Sequence, residues 1–568
     1  MLNAFLTEPR IAYFTMEIAL RDEIPTYAGG LGILAGDTVR SAADLDVPLV
    51  AVSLISRAGY FRQEIDAQGR QVEQDDSWNP QRFAQPLEAK IAIPIEGREV
   101  WVRSWLYVVE GLHVVEGLRG HREPVILLDT DLDENQAEDR RLTHYLYGGD
   151  DAYRLKQEMV LGLGGVRMLH ALGFEIRQYH LNEGHSALLG LELLRRFERS
   201  AQEAGSGSVY DIPRVRQLCN FTTHTPIEAG HDQFPYDLVQ RIMGDVIEPG
   251  ELRSLAGEDR LNMTRLALNL SEYVNGVSRK HAEMSQRTFP GFQIHAVANG
   301  VHASTWTSPS FMRLYDERLH AWRYEPELLN RIIDQVSDEA LWEAHQSAKR
   351  ALIERVKNLS GVELKLDVPI LAFARRVTAY KRPDLLFSDL ARLKRIARTF
   401  PFQVVIAGKA HPHDQTGKQL IETLNRHRKE LADLIPVAFL PNYGMQIALE
   451  AVSGADVWLN TPLRPLEASG TSGMKAAFNG VPSLSVLDGW WIEGCIEGVT
   501  GWAIGDSLSS EGGDAESLYA KLESKVLPLY RAGLRAWAPL MKGVIGKNAA
   551  HFNSHRMMRR YATEAYIR

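Results

Sequence analysis

Lys475 is the residue whose setting constrains the chemistry most. It lies four residues past Thr471 in the stretch EASGTSGMKAAFNG, which runs from Glu467 to Gly480. Upstream, ADVWLN at 455–460 predicts a buried strand, and Met474–Phe478 predicts the first turn of a helix. A strand, a glycine-rich loop and a helix start together present free backbone N–H groups to a phosphate. A lysine on the first helical turn then stands beside that phosphate, which is what a pyridoxal phosphate Schiff base requires. The same segment also reads as a glycine-rich turn carrying a solvated lysine. Residue types alone leave both readings open.

A second group of cations lies upstream. Arg376 and Lys381 are five apart in RRVTAYK, after a predicted strand at Ile370–Ala374. An arginine offers phosphate oxygens a fixed fork, and a lysine adds a point charge. In isolation such a cluster also reads as a solvated basic turn.

The elements around these residues explain their spacing. Strands are expected at Ile370–Ala374, Gln403–Ala407, Val437–Leu440 and from Val457. Helices are expected from Pro383, with Leu386, Leu390 and Leu393 at helical spacing, from Asp414 and from Met445. Alternating strands and helices predict a parallel, doubly wound sheet, which binds ligands at the carboxyl ends of its strands. Arg375, Arg376, Lys409, Asn442, Tyr443 and Glu467 all fall just after predicted strands. So many polar residues at one edge are hard to explain as solvated surface.

The first half is less regular but of the same type, with strands expected at Ile11–Phe14, Leu49–Leu54, Val125–Leu128 and Tyr179–Leu181. The loop Gly29-Gly30-Leu31-Gly32 precedes a plausible helix at Ile33–Ala42. A lone GxG is weak, and tight packing of helix on strand explains it equally well. His180 and His185 around Glu183 do not make HExxH, and no metal site is expected. Trp490 and Trp491 suit core packing at least as well as stacking on sugar rings.

Composition bounds the class. The 568 residues are too many for one core and suggest two large domains. A hydrophobic content of 45% and a charged content of 24% are ordinary for a globular enzyme. A net charge of −8 offers no basic face for nucleic acid. Two cysteines, Cys219 and Cys495, exclude a disulfide framework and a thiolate zinc site, and suit a reducing compartment. No apolar run approaches the ~18 residues of a membrane span. MLNAFLTEPR lacks the basic and apolar regions of a signal peptide, so a cytoplasmic protein is expected.

The loop around Lys475 resembles the cofactor-lysine motif of glycogen and α-glucan (maltodextrin) phosphorylases, usually EASGTGNMK. AGGLGILAGD, GYFRQ, YGGDDAYRLKQE, LNEGHSAL, TTHTP, ANGVH, RRVTAYKR, IAGKAHP and PNYG are similar to that family in the same order. The resemblance spans about Ile11 to Tyr561 and is closest to a short bacterial-type form. It implies the GT-B architecture, an α/β fold of two doubly wound domains facing a cleft. The expected boundaries are an N-terminal α/β domain at 1–310, a helical connection at 311–367, a C-terminal α/β domain at 368–540 and a returning helix at 541–568. The long amino-terminal extension in which larger relatives carry regulatory sites is not expected.

The resemblance also implies the site. Lys475 would hold pyridoxal phosphate as a Schiff base, with Gly470, Thr471, Arg375 and Tyr443 near the cofactor phosphate. Gly30, Arg376 and Lys381 would hold the substrate phosphate. His224, Asn299 and Glu467 would hold the glucosyl unit. The chain departs from the family at Ser472 and Gly473, usually Gly and Asn, at Arg375, usually Lys, and at Gly444, usually Arg. The implied reaction is reversible phosphorolysis of α-1,4-glucan ends to α-glucose 1-phosphate with retention. By the same resemblance orthophosphate would give its proton to the leaving oxygen, and no convincing carboxylate pair is visible at the expected cleft. The implied partners are the glucan and orthophosphate, and a homodimer fits the family.

Two other classes remain in view. A GT-B glucosyltransferase of the glycogen synthase type, using a nucleotide sugar, also carries an Arg and a Lys about five apart, but has no need of Lys475. A non-catalytic glucan-binding relative would be marked by loss of Lys475, Arg376 or Lys381, and all three are present.

Overall fold

A computed structural model describes residues 2–112, 121–200, 202, 208–227, 230–505 and 513–567. The chain divides into two compact units. Unit 1 comprises Met1–Tyr60, Asp75–Val297 and Met558–Arg568, and unit 2 comprises Phe61–Gln74 and Ala298–Met557.

Unit 1 carries a nine-stranded sheet. Its strands are β1 (Arg10–Phe14), β2 (Leu49–Leu54), β3 (Gln85–Ile95), β4 (Arg98–Glu110), β5 (Arg122–Asp129), β6 (Ile176–Asn182), β7 (Cys219–Thr222), β8 (Tyr273–Gly276) and β9 (His295–Ala296). Their order across the sheet is β9-β8-β7-β6-β1-β2-β5-β4-β3. The pairs from β9 to β5 are parallel, and β3, β4 and β5 form an antiparallel meander. The central strands β1 and β2, RIAYF and LVAVSL, are buried along their whole length, as expected for parallel strands covered on both faces. Phe14, Val52, Ile126 and Leu181 lie in the core they share with Leu161 and Leu189.

Unit 2 carries an all-parallel sheet of six strands: β10 (Ile370–Ala374), β11 (Gln403–Ala407), β12 (Val437–Leu440), β13 (Val457–Asn460), β14 (Ser483–Val486) and β15 (Gly501–Ile504). Their order is β12-β11-β10-β13-β14-β15. The helix Asp338–Ser360 covers one face with Leu352 and Val356. Ser337 caps its start by accepting from the Ala340 N–H, and Gly361 ends it at φ +70°. With its strand order reversing beside β10, the sheet is doubly wound. Both units therefore have the α/β content of the GT-B class. Among the described residues, no helix is long and apolar enough to cross a membrane.

The structure differs from expectation in several places. The units divide at Val297 rather than at 310. Residues 298–310 belong to unit 2 because Asn479 donates to Trp306 O and accepts from the Ser308 N–H. Unit 2 also continues to Met557, past the expected return at 541. Phe61–Gln74, inside the expected first domain, belongs to unit 2. Gln63 and Asn442 exchange side chain-to-backbone bonds there, and Gln71 brackets Ala410 in the same way. No helix starts at Pro383. Arg382 stands at φ +45°, tied by its guanidinium to Thr461 O and Asp514, and the helix begins at Leu390 under an Asp389 cap.

Candidate functional site

In unit 2 the carboxyl ends of β10 and β13 meet the glycine loop. Arg375 follows β10 directly. Its Nη1 donates to Asn460 Oδ1 at 2.8 Å and its Nη2 to Glu467 Oε2 at 2.6 Å. Lys381 Nζ donates to the same Glu467 oxygen at 2.5 Å. The fork of Arg375 bridges two elements with fixed geometry, where a lysine would present a single rotatable point charge. Burial alone would raise the Glu467 pKa, but Arg375 and Lys381 overcome it and hold the carboxyl down at about 2. Burial, followed by the Arg375 charge, lowers the Lys381 pKa despite Glu467.

Of the two adjacent arginines, Arg375 and not Arg376 enters this cluster. Arg376 is exposed, within electrostatic reach of Tyr380. Tyr443 donates to Ala374 O at 3.1 Å, and burial raises its pKa. Lys409 lies at the same edge but donates to Phe61 O at 2.8 Å.

The glycine loop is strapped from below. The Glu467 N–H donates to Asp488 Oδ2 at 2.9 Å, and the Trp490 N–H to Ser469 O at 2.9 Å. Burial pushes the Asp488 carboxyl up to about 6. Gly470 turns the chain at φ +84°. The two departures in the loop each meet a tryptophan. Ser472 Oγ accepts from Trp458 Nε1 at 3.1 Å, and a Cβ on Gly473 would stand 2.6 Å from Trp490 Cζ2. Trp490 is buried against Phe552, with ring centroids 5.0 Å apart, so it serves packing rather than a sugar face.

Ser472–Ala477 forms one short helix that carries Lys475. Lys475 is 6% exposed, and its Nζ lies 3.7 Å from the centroid of the Trp306 ring. The solvated-turn reading therefore fails: this lysine is buried. Asn479 holds the carbonyls of both Lys475 and Trp306.

Arg375, Ser469, Gly470 and Asp488 line one small pocket. Arg375 Nε and Ser469 Oγ are buried there without a hydrogen-bond partner. Two unused donors, one of them on a cation, suit an anionic group such as a phosphate, although the carboxylates of Glu467 and Asp488 line the same pocket. Asn299 is also in unit 2. It is buried, and its Oδ1 has no partner, so it can accept from a bound hydroxyl.

In unit 1 the glycine loop opens the helix Gly30–Asp44. A Cβ on Gly30 would meet nothing within 4 Å, whereas one on Gly36 would stand 2.1 Å from Ala19 O. Packing thus explains Gly36, while Gly30 is exposed at the helix start. Glu17, which sequence reasoning missed, fixes this loop. Its Oε2 accepts from the N–H groups of Ala28 and Gly29 at 2.6 and 3.0 Å, and its Oε1 accepts from Tyr147 OH.

His224 follows β7, half-buried. Its Nε2 lies 2.6 Å from Asn182 Oδ1. A chain of bonds sets the direction of this contact. The Thr15 hydroxyl donates to Glu17 O, so it accepts from Asn182 Nδ2, which turns Asn182 Oδ1 toward the ring. Nε2 therefore carries the proton. Burial lowers the His224 pKa to about 3, which keeps the ring neutral with its lone pair on Nδ1. His180 uses both ring nitrogens internally, on Tyr566 and Thr222.

The sequence pattern of the carbohydrate phosphorylase family matches residues 244–500. The chain is 38% identical to the maltodextrin phosphorylase of Thermococcus litoralis, covering 98% of this chain and 70% of that protein. It is 35% identical to the glycogen phosphorylase of Aquifex aeolicus, covering 98% and 86%, and 35% identical to that of Mycobacterium tuberculosis strain H37Rv, covering 98% and 70%.

Proposed function

Because this chain belongs to the carbohydrate phosphorylase family, we infer that it is an α-glucan phosphorylase. It transfers a glucosyl unit between an α-1,4-glucan end and orthophosphate, giving α-glucose 1-phosphate with retention. The observation that carries the reading at the site is the buried Lys475, on the turn that follows a loop flanked by Arg375 and Lys381.

In this reading Lys475 holds pyridoxal phosphate. Arg375, Tyr443 and the N–H groups of Gly470 and Thr471 hold its phosphate. When bound, pyridoxal phosphate supplies a second ionisable phosphate that supports proton transfer at the substrate phosphate. Arg376, Lys381 and the N–H of Gly30 bind orthophosphate. His224, Asn299 and Glu467 orient the glucosyl unit through its hydroxyls.

Glu467 stays ionised between two cations, so it accepts hydroxyl hydrogens and does not donate the catalytic proton. Orthophosphate donates that proton to the glycosidic oxygen as the C1–O bond breaks, and a phosphate oxygen then bonds to C1 from the same face. Lys381 and Arg376 stabilise the charge that develops on the phosphate.

The test is synthesis. With glucose 1-phosphate and a short maltodextrin, the protein lengthens the dextrin and releases orthophosphate. Transfer from a nucleotide glucose by cofactor-free protein would instead support the nucleotide-sugar class.

A further inference from the structure

Glu183 follows β6 directly and stands at φ +78°, ψ 167°. That region is essentially reserved for glycine, because a Cβ there crowds its own backbone. The conformation is nonetheless held from all sides. The Glu183 N–H donates to Thr222 O at 2.9 Å. Its Oε1 accepts from the Gly184 N–H at 2.9 Å. Its Oε2 accepts from the His224 N–H at 2.8 Å and from Thr225 Oγ1 at 2.9 Å. The side chain is buried, with the residue 5% exposed.

Three donors from two separate loops thus converge on two oxygens. Only a carboxylate accepts all three without offering a proton of its own. A glutamine would turn an NH2 toward at least one of them. A glycine would relieve the backbone but leave the three donors without their acceptor. Strain retained at a buried position, where glycine would be easier, marks a side chain that serves something beyond the local fold.

We propose that Glu183 is a positioning residue for His224. Its carboxylate fixes the backbone of His224 and the side chain of Thr225. Asn182, one residue earlier, fixes the ring through Nε2. The consecutive pair Asn182–Glu183 therefore grips His224 at both ends, and the Nδ1 lone pair is presented in one orientation. This proposal rests on the reading that His224 contacts the sugar.

The experiment is a double-mutant cycle of Glu183→Gln with His224→Ala, reading kcat and KM for orthophosphate. A misplacement of about 1 Å at a reacting centre can cost ~100-fold. Glu183→Gln is expected to lower kcat by about 10- to 100-fold with the orthophosphate KM within about twofold. In the His224→Ala background the same substitution is expected to change kcat by less than about twofold, because coupled residues are not additive. Thr225→Val removes one of the three donors and is expected to lower kcat several-fold, again only when His224 is present. It serves if Glu183→Gln does not fold.

Equal losses from Glu183→Gln, or from Thr225→Val if Glu183→Gln does not fold, with and without His224 would overturn this proposal alone. A His224→Ala enzyme with normal turnover would remove the sugar-contact reading, and this proposal with it.

Discussion

One oxygen of Glu467 lies 2.5 Å from the ammonium of Lys381, and Arg375 reaches that same oxygen at 2.6 Å. Glu467 therefore offsets part of the positive charge at this edge of unit 2. Under the proposed function an entering phosphate would meet cations already oriented, with Arg375 Nε still unused.

This arrangement predicts an acid-sensitive fold. The folded carboxyl of Glu467 titrates at about 2 against an ordinary 4.5. A depressed carboxylate stabilises fully above its unfolded value and loses that contribution as pH falls through its folded value. The contribution is on the order of 3 kcal/mol. Denaturant unfolding of wild type and Glu467→Gln should show a stability gap at pH 7 that closes between about pH 4.5 and 2. A gap independent of pH would contradict the ion-pair account.

Replacing Arg376 or Lys381 by alanine should chiefly impair use of orthophosphate and glucose 1-phosphate. Each charge-assisted contact is worth about 1.5–3 kcal/mol, and more where transition-state charge develops. Steady-state kinetics at low phosphate provide the check, and two variants that turn over normally there would rule out the phosphate assignment.

Borohydride reduction followed by peptide mapping should label Lys475 with a pyridoxyl group. Stripping pyridoxal phosphate should abolish activity, and adding it back should restore it. A label on Lys409 or Lys381 would move the cofactor elsewhere.

Gly473→Ala should destabilise the glycine loop. The added Cβ would lie 2.6 Å from the Trp490 ring, and overpacking of this kind costs about 1–3 kcal/mol. Thermal unfolding should show a lower Tm, with weakened cofactor retention because Lys475 is two residues away. An unchanged Tm would mean that Trp490 yields freely.

Both sheets were partly legible in the sequence, for a physical reason. Central parallel strands such as ILAFA and VWLN are covered on both faces and so read as unbroken apolar runs. Of the meander only β5 was expected; β3 escaped notice because QPLEAKIAIPI mixes exposed and buried positions and contains two prolines. The excursion Phe61–Gln74 into unit 2 leaves no local signal. Gln63 and Asn442, which secure it, are 379 residues apart. Lys475, Lys381 and Glu467 were legible from type and spacing. That Arg375 rather than Arg376 reaches Asn460 and Glu467 is not revealed by residue type. Glu17 and Glu183 were missed because partners that define their roles, Ala28 and Gly29 for one and His224 and Thr225 for the other, are distant in sequence.

The most direct measurement is phosphorus NMR of the protein incubated with a short maltodextrin and orthophosphate. α-Glucose 1-phosphate should accumulate and orthophosphate should fall in equal amount. Free glucose with unchanged phosphate, or the β-anomer of glucose 1-phosphate, would contradict a retaining α-glucan phosphorylase.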